Sequence, residues 1–173
     1  MKTTMDVMER PPVEIEEAVY LPTDLSDWVS KAELREWIVE HVDSFNWENP
    51  ELLEQLQRSP DFEPKALLCT ISLAYAIGAF GAEDVMRACS RDPEFKPVRP
   101  KLPPRAEDFS SFRKLNRVLI NDVLLHVITR ALKTQFIDAD EFVLFPAGLR
   151  RMVAENATER LDLARHIDRS HEN

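Results

Sequence analysis

Cysteine and histidine are the side chains of this sequence with the clearest capacity for chemistry, and their spacing does not favour it. The two cysteines, Cys69 and Cys89, form no C-x-x-C, and the four histidines are scattered. The sequence therefore predicts no metal site, no cofactor and a reduced, cytoplasmic compartment. The cysteines are expected to be small buried hydrophobes, and His126 a core histidine. Three glycines are too few for a phosphate-cradling loop, which excludes Rossmann and P-loop nucleotide sites.

Charge is distributed unevenly along the 173 residues. The net charge is -9, yet residues 65–133 carry 12 basic and 7 acidic groups, and residues 91–117 carry 8 basic and 4 acidic groups. An acidic total disfavours nucleic-acid binding, which depends on phosphate neutralisation, so only the middle third has the right sign. The acidic start lacks a signal-peptide pattern. The uncharged stretch from Ala66 to Phe80 is too short to span a bilayer, so no membrane association is predicted.

Helix start signals divide the chain into successive helices. Ser30 followed by Glu33 forms a capping-box signature, and Asn49-Pro50 places an Asn cap before a proline at the first helical position. An apolar segment and a glycine-bearing turn then indicate two helices that form a helix-turn-helix-like unit. These four helices are expected over residues 31–45, 50–59, 64–77 and 82–90.

A proline-rich basic connector, residues 93–105, leads into the longest predicted helix. Asp108 is predicted to cap that long penultimate helix, and a last amphipathic helix is expected over residues 147–166. No strand alternation is found, so the sequence predicts an all-α, compact multi-helix bundle. The apolar stripe of the long helix is Phe112, Leu115, Leu119, Val123 and Val127.

Several short segments, in a preserved order, resemble the N-terminal domain of bacterial insertion-sequence transposases of the DDE class. The resemblance covers residues 21–133, so residues 1–20 are interpreted as a flexible acidic lead and 134–173 as a helical extension. The matching segments are Leu21-Pro22, Leu25–Trp28, Leu34, Ile38-Val39, Val42-Asp43, Asp61–Leu68, Ala74–Phe80, Arg87–Phe95 and Phe112–Asn116.

The resemblance implies a domain that binds the ends of a mobile element, and it also has departures. Gly81-Ala82-Glu83 replaces the family's Ser-Ser-Arg start of the fourth helix, and Glu83-Asp84 places two acids where phosphate would approach. The family's catalytic half is missing. Its chemistry needs three carboxylates that hold two divalent metals, and residues 134–173 are too few for the sheet that carries them. The chain is therefore predicted to be non-catalytic.

The resemblance places double-stranded DNA at the cationic start of the long helix. Arg113, Lys114 and Arg117 are expected to lie off the apolar stripe and to contact phosphates. The alternative is that these residues form only a solvated helix face. The connector likewise has two interpretations: an extended arm that enters a groove, or a solvated linker. A second hypothesis is a protein-interaction module that pairs with itself or with a full-length transposase. The predicted DNA-binding residues are Arg105, Ser110, Ser111, Arg113, Lys114 and Arg117.

Overall fold

The computed structural model describes residues 20–56, 62–136 and 147–171, and these contain helices and no strand. The predicted all-α class is therefore confirmed. The expectation of a flexible acidic lead before residue 20 lies outside these ranges. The helices are α1 (Lys31–Asp43), α2 (Pro50–Gln55), α3 (Pro64–Ala76), α4 (Ala82–Arg91), α5 (Ala106–Leu115), α6 (Arg117–Phe136) and α7 (Ala147–His171).

The predicted caps of the first helices are confirmed. The Ser30 hydroxyl accepts a hydrogen bond from the backbone N–H of Glu33, and the Asn49 side chain accepts one from Glu51. Each bond satisfies a backbone donor that has no partner inside its own helix. The second helix ends at Gln55, earlier than the expected end near residue 59.

Helix α3 lies at the centre of the bundle. All ten of its residues from Leu67 to Ala76 are buried, and the helix contacts α1, α4, α5 and α6. Helix α6 lies between α3, α1 and α7, with Val123, Leu124 and Val127 fully buried. The burial of α3 on all sides matches its uncharged, largely apolar sequence from Ala66 onward. Within the described ranges, no helix has both the length and the apolar character needed to cross a bilayer.

The turn between α3 and α4 requires a glycine. Gly78 has φ of 87°, a conformation that residues with a Cβ rarely adopt. The backbone N–H of Ala79 donates to the carbonyl of Ala74, and that of Gly78 to Tyr75, which is the Schellman pattern that ends a helix. The predicted turn between these two helices is therefore present, with α4 beginning at Ala82.

The long helix expected from Asp108 onward is two helices, and this part of the prediction was wrong. Helix α5 ends at Leu115 and α6 begins at Arg117, with Asn116 between them at φ -124° and ψ 27°. Leu115, expected in the core, is 55% exposed because the buried face of α5 is formed by Phe109, Phe112 and Arg113 and Leu115 lies off that face. Asp108 is the third residue of α5 rather than its cap, and its carboxylate accepts from the backbone N–H of Arg105.

Candidate nucleic-acid interface

Arg113, the first of the predicted phosphate contacts, is inside the protein. Its side chain is 3% exposed, and its Nε and Nη2 donate to Asp168 Oδ2 of α7 at 3.2 and 2.8 Å. The other carboxylate oxygen, Oδ1, accepts the backbone N–H of Ala82 at the start of α4. Asp168 therefore holds α4, α5 and α7 together. A guanidinium bound in this way cannot reach a phosphate unless the pair breaks.

The position of Arg113 on its helix explains this burial. Arg113 lies one turn after Phe109 and directly after Phe112, and all three belong to the buried face of α5. The expectation that Arg113 lies off the apolar stripe was therefore wrong. A buried guanidinium is stable only with a charged or hydrogen-bonding partner, and Asp168 supplies both.

Arg117 lies on the next helix and also contacts an acidic side chain. Its Nη2 is 2.6 Å from Asp162 Oδ1 of α7, and Arg165 lies 3.5 Å from the same oxygen. The side chain is still 37% exposed, so this pair competes with a phosphate but does not remove the residue from the surface. Because the chain breaks at Asn116, Arg113 and Arg117 do not share one straight helix.

The other predicted contacts lie around a polar cleft. Ser110, Ser111 and Lys114 line a cavity of about 360 Å³ between the start of α4, α5 and the end of α7. Glu83 and Glu107 line the same cavity, and their carboxylates would repel a phosphate. Arg105 is 76% exposed at the start of α5, beside Glu107 and Asp108. The structure thus brings three of the six predicted residues together, next to acids.

Arg160 is a buried cation that the sequence reasoning missed. Its guanidinium donates to the carbonyls of Pro22, Thr23, Tyr75 and Ala76, and its Nε donates to Asn156. Tyr75 and Ala76 end α3, where the helix dipole attracts a positive charge. Burial lowers the pKa of Arg160 to about 10. This residue joins α7 to the end of α3 and has a structural role.

The basic connector packs on the helices, which neither an extended arm nor a solvated linker would do. Phe95 is fully buried, and Val98, Pro100 and Pro104 are buried with it. The connector and α4 enclose a groove of about 490 Å³. Its lining residues are Met86, Cys89, Ser90, Arg99, Pro100, Lys101, Pro103 and Pro104.

Asp92, just before the connector, and Glu94, near its start, contact α1. Lys31 Nζ lies 2.8 Å from Asp92 Oδ2, and Arg35 pairs with the Glu94 carboxylate and donates to its backbone carbonyl at 3.2 Å. Burial acts to raise the pKa of Asp92, but the hydrogen bonds from Lys31 and from the Glu94 backbone lower it overall. Both acids are therefore neutralised by α1.

The exposed cations of this region have few acidic partners. No carboxylate of the described residues lies within ion-pair distance of Arg91, Arg99 or Lys101, and Arg87 pairs only with exposed Asp84 at 3.4 Å. Arg87 and Arg91 lie one turn apart on α4, beside Ser90, which lines the groove. We call this set the connector face: Arg87, Arg91, Arg99 and Lys101.

The described residues offer little for nucleophilic or metal chemistry. Burial raises the pKa of the Cys69 thiol to about 12 and also raises that of Cys89, so both thiols stay protonated at neutral pH. Among residues 20–56, 62–136 and 147–171, no three His, Cys, Asp or Glu side chains are grouped so that they could hold a metal ion.

Comparisons with known proteins add no relative: no family model, no curated protein and no solved structure matches the chain. The resemblance to transposase N-terminal domains thus stays a prediction, and the function has to be argued from the arrangement of the side chains.

Proposed function

We propose that the chain is a non-catalytic, helical DNA-binding domain of the kind found at the start of insertion-sequence transposases, and that it contacts DNA phosphates through the connector face. The sequence resemblance over residues 21–133 supports the class. The internal pairing of Arg113 near the end of α5 disfavours the α5–α6 junction as the contact surface.

One observation carries the choice of the connector face. Asp92 and Glu94, the acids that lie between Arg91 and Lys101, are paired with Lys31 and Arg35. In contrast, Arg91, Arg99 and Lys101 have no ion-pair partner among the described residues. The stretch therefore presents a positive surface on a chain whose net charge is -9. A phosphate backbone is the polyanion that such a surface attracts.

Salt dependence tests the proposal directly. If the four cations each neutralise one phosphate, log K should fall with log salt with a slope of about -3.6, so affinity should drop about 150-fold between 50 and 200 mM salt. Fluorescence anisotropy of a labelled duplex measures this. Flat salt dependence, or no binding at 50 mM, would contradict the proposal.

Charge-matched variants locate the surface. Arg99→Ala/Lys101→Ala should weaken binding and reduce the magnitude of the slope by about 2. Arg150→Ala/Arg151→Ala removes the same charge from exposed positions at the start of α7 and serves as the control. Equal losses in both variants would mean that binding follows total charge and not the connector face.

The alternative function, a protein-interaction module, is favoured by a different observation. Arg113 and Arg117 are paired internally, and Leu115 and Val118, on either side of Asn116, are 55% and 82% exposed. Two exposed apolar side chains, three residues apart in the chain, suit contact with a second copy or with a full-length transposase. Sedimentation over a range of protein concentrations, together with the anisotropy assay of DNA binding, distinguishes the two functions. A dimer that has no DNA affinity would support this alternative.

A further inference from the structure

Two histidines from different helices stack face to face where α1 packs on α6. The rings of His41 and His126 lie 4.1 Å apart between centroids, and their planes are inclined by 12°. The ring of Phe45 meets His41 edge-on at 5.3 Å. Neither histidine belongs to the connector face, so the proposed DNA contact does not use them.

Hydrogen bonding defines the protonation of His41 in its neutral form. His41 Nε2 lies 3.0 Å from Asp122 Oδ2. An ionised carboxylate only accepts, so the hydrogen is on Nε2 and Nδ1 carries the lone pair. The same contact becomes an ion pair when His41 is protonated.

The charged groups around the two rings come from both helices. Helix α1 contributes Glu40, and α6 contributes Asp122 and Arg130. Arg130 pairs with Glu40 at 3.0 Å and stacks over Trp37, with its guanidinium carbon 4.8 Å from the ring centroid. Glu40 and Asp122 are 72% and 53% exposed, so water weakens their attraction for a second positive ring.

We propose that the His41–His126 stack makes the α1–α6 contact a proton-sensitive clamp that is closed when at least one ring is neutral and opens when both are protonated. Two imidazolium rings at the observed separation would be like charges face to face, with Arg130 adding a third positive group nearby. Separation of α1 from α6 relieves that repulsion.

The direction of the pH effect follows from the environment of His126. Burial lowers its pKa below the ordinary value of 6.5, and His41 and Arg130 lower it further, outweighing Glu40 and Asp122. The open form therefore binds a proton at higher pH than the closed form does. The clamp is fully stable above pH 6.5 and weakens as the pH falls toward the pKa of the closed state.

Hydrogen–deuterium exchange of the α1 amides tests the clamp. After correction for the intrinsic pH dependence of exchange, the opening constant of α1 should rise as the pH falls below 6.5, by at most about tenfold per pH unit, and should level off below the pKa of His126 in the closed form. Imidazole NMR should show His126 titrating below 6.5 in the wild-type protein. Exchange that is independent of pH, or titration of His126 at or above 6.5, would overturn the proposal.

Three variants separate the clamp from a general acid effect. His126→Phe keeps an aromatic ring in the stack and should remove the pH dependence of α1 exchange. His41→Gln should raise the pKa of His126 toward 6.5 because a neighbouring charge is gone. His166→Gln, at an exposed position on α7, should behave like the wild type. An unchanged pH dependence in His126→Phe would refute the clamp, and if that variant does not fold, the wild-type titration decides.

Discussion

Replacement of Arg113 by methionine tests whether this residue is structural or a DNA contact. The side chains of Arg113 and Asp168 are 3% and 8% exposed, so removal of one partner leaves the other charge inside the protein without compensation. Arg113→Met and Asp168→Leu should each lower the free energy of unfolding by about 3–5 kcal/mol.

The double variant gives the sharper result. Arg113→Met/Asp168→Leu leaves no buried charge, and its remaining loss is the cap that Asp168 supplies to Ala82, which is worth about 1 kcal/mol. Its total cost should therefore be roughly 1–2 kcal/mol, far below the sum of the two single variants. Urea unfolding at pH 7, followed by far-ultraviolet circular dichroism, measures all three.

A matched control uses the more exposed pair on the next helix. Arg117→Met removes an ion pair with Asp162 in which the two side chains are 37% and 46% exposed, so it should cost only about 0–1 kcal/mol. Single-variant losses that add up in the double variant, or an Arg113→Met variant that keeps its stability and loses only DNA affinity, would show that Arg113 and Asp168 do not form a coupled buried pair.

Two further stability predictions follow from the end of α3, and both use the same urea assay. Arg160→Met removes the donors to four carbonyls, including that of Tyr75, and should lower the free energy of unfolding by about 3–5 kcal/mol, whereas a loss under 1 kcal/mol would show that water replaces the guanidinium. Gly78→Ala forces a Cβ into φ of 87° and to 3.3 Å from the Thr23 carbonyl oxygen, so it should cost about 1–2 kcal/mol; an unchanged midpoint would mean that the turn has another conformation.

Local signals in the sequence were sufficient to predict where most of the helices begin. The bonds at Ser30 and Asn49 span two or three residues, and Pro64 marks the start of α3, so a short window contains the whole interaction. Burial of α3 also followed from its composition, because an uncharged, apolar helix is stable only inside the bundle.

The break at Asn116 was missed because apolar spacing continues across it. Leu119 and Val123 follow Phe112 at intervals that suit one straight helix, and periodicity alone does not reveal an interruption. The signal was the asparagine itself: its Nδ2 donates to the carbonyl of Phe112 at 3.0 Å, a side-chain bond that competes with the helical backbone.

The buried ion pair could not be read from the sequence, although its first half could have been suspected. Arg113 is one turn from Phe109, so a positive charge on the apolar face was visible in the spacing. Its partner Asp168 is 55 residues farther along the chain, in a helix with several other acids. Only the packing of α7 against α4 and α5 selects that carboxylate.

Intramolecular ion pairs determine which cations of this acidic chain remain accessible to a phosphate backbone. Helix α7 uses Asp168 and Asp162 to bind Arg113 and Arg117, which withdraws the cations at the α5–α6 junction. Helix α1 has the opposite effect, because its Lys31 and Arg35 neutralise Asp92 and Glu94. The positive surface therefore depends on the docking of α1, and α1 is also the helix held by the histidine stack. A pH change that releases α1 would expose Asp92 and Glu94 beside the connector face and weaken its attraction for phosphate.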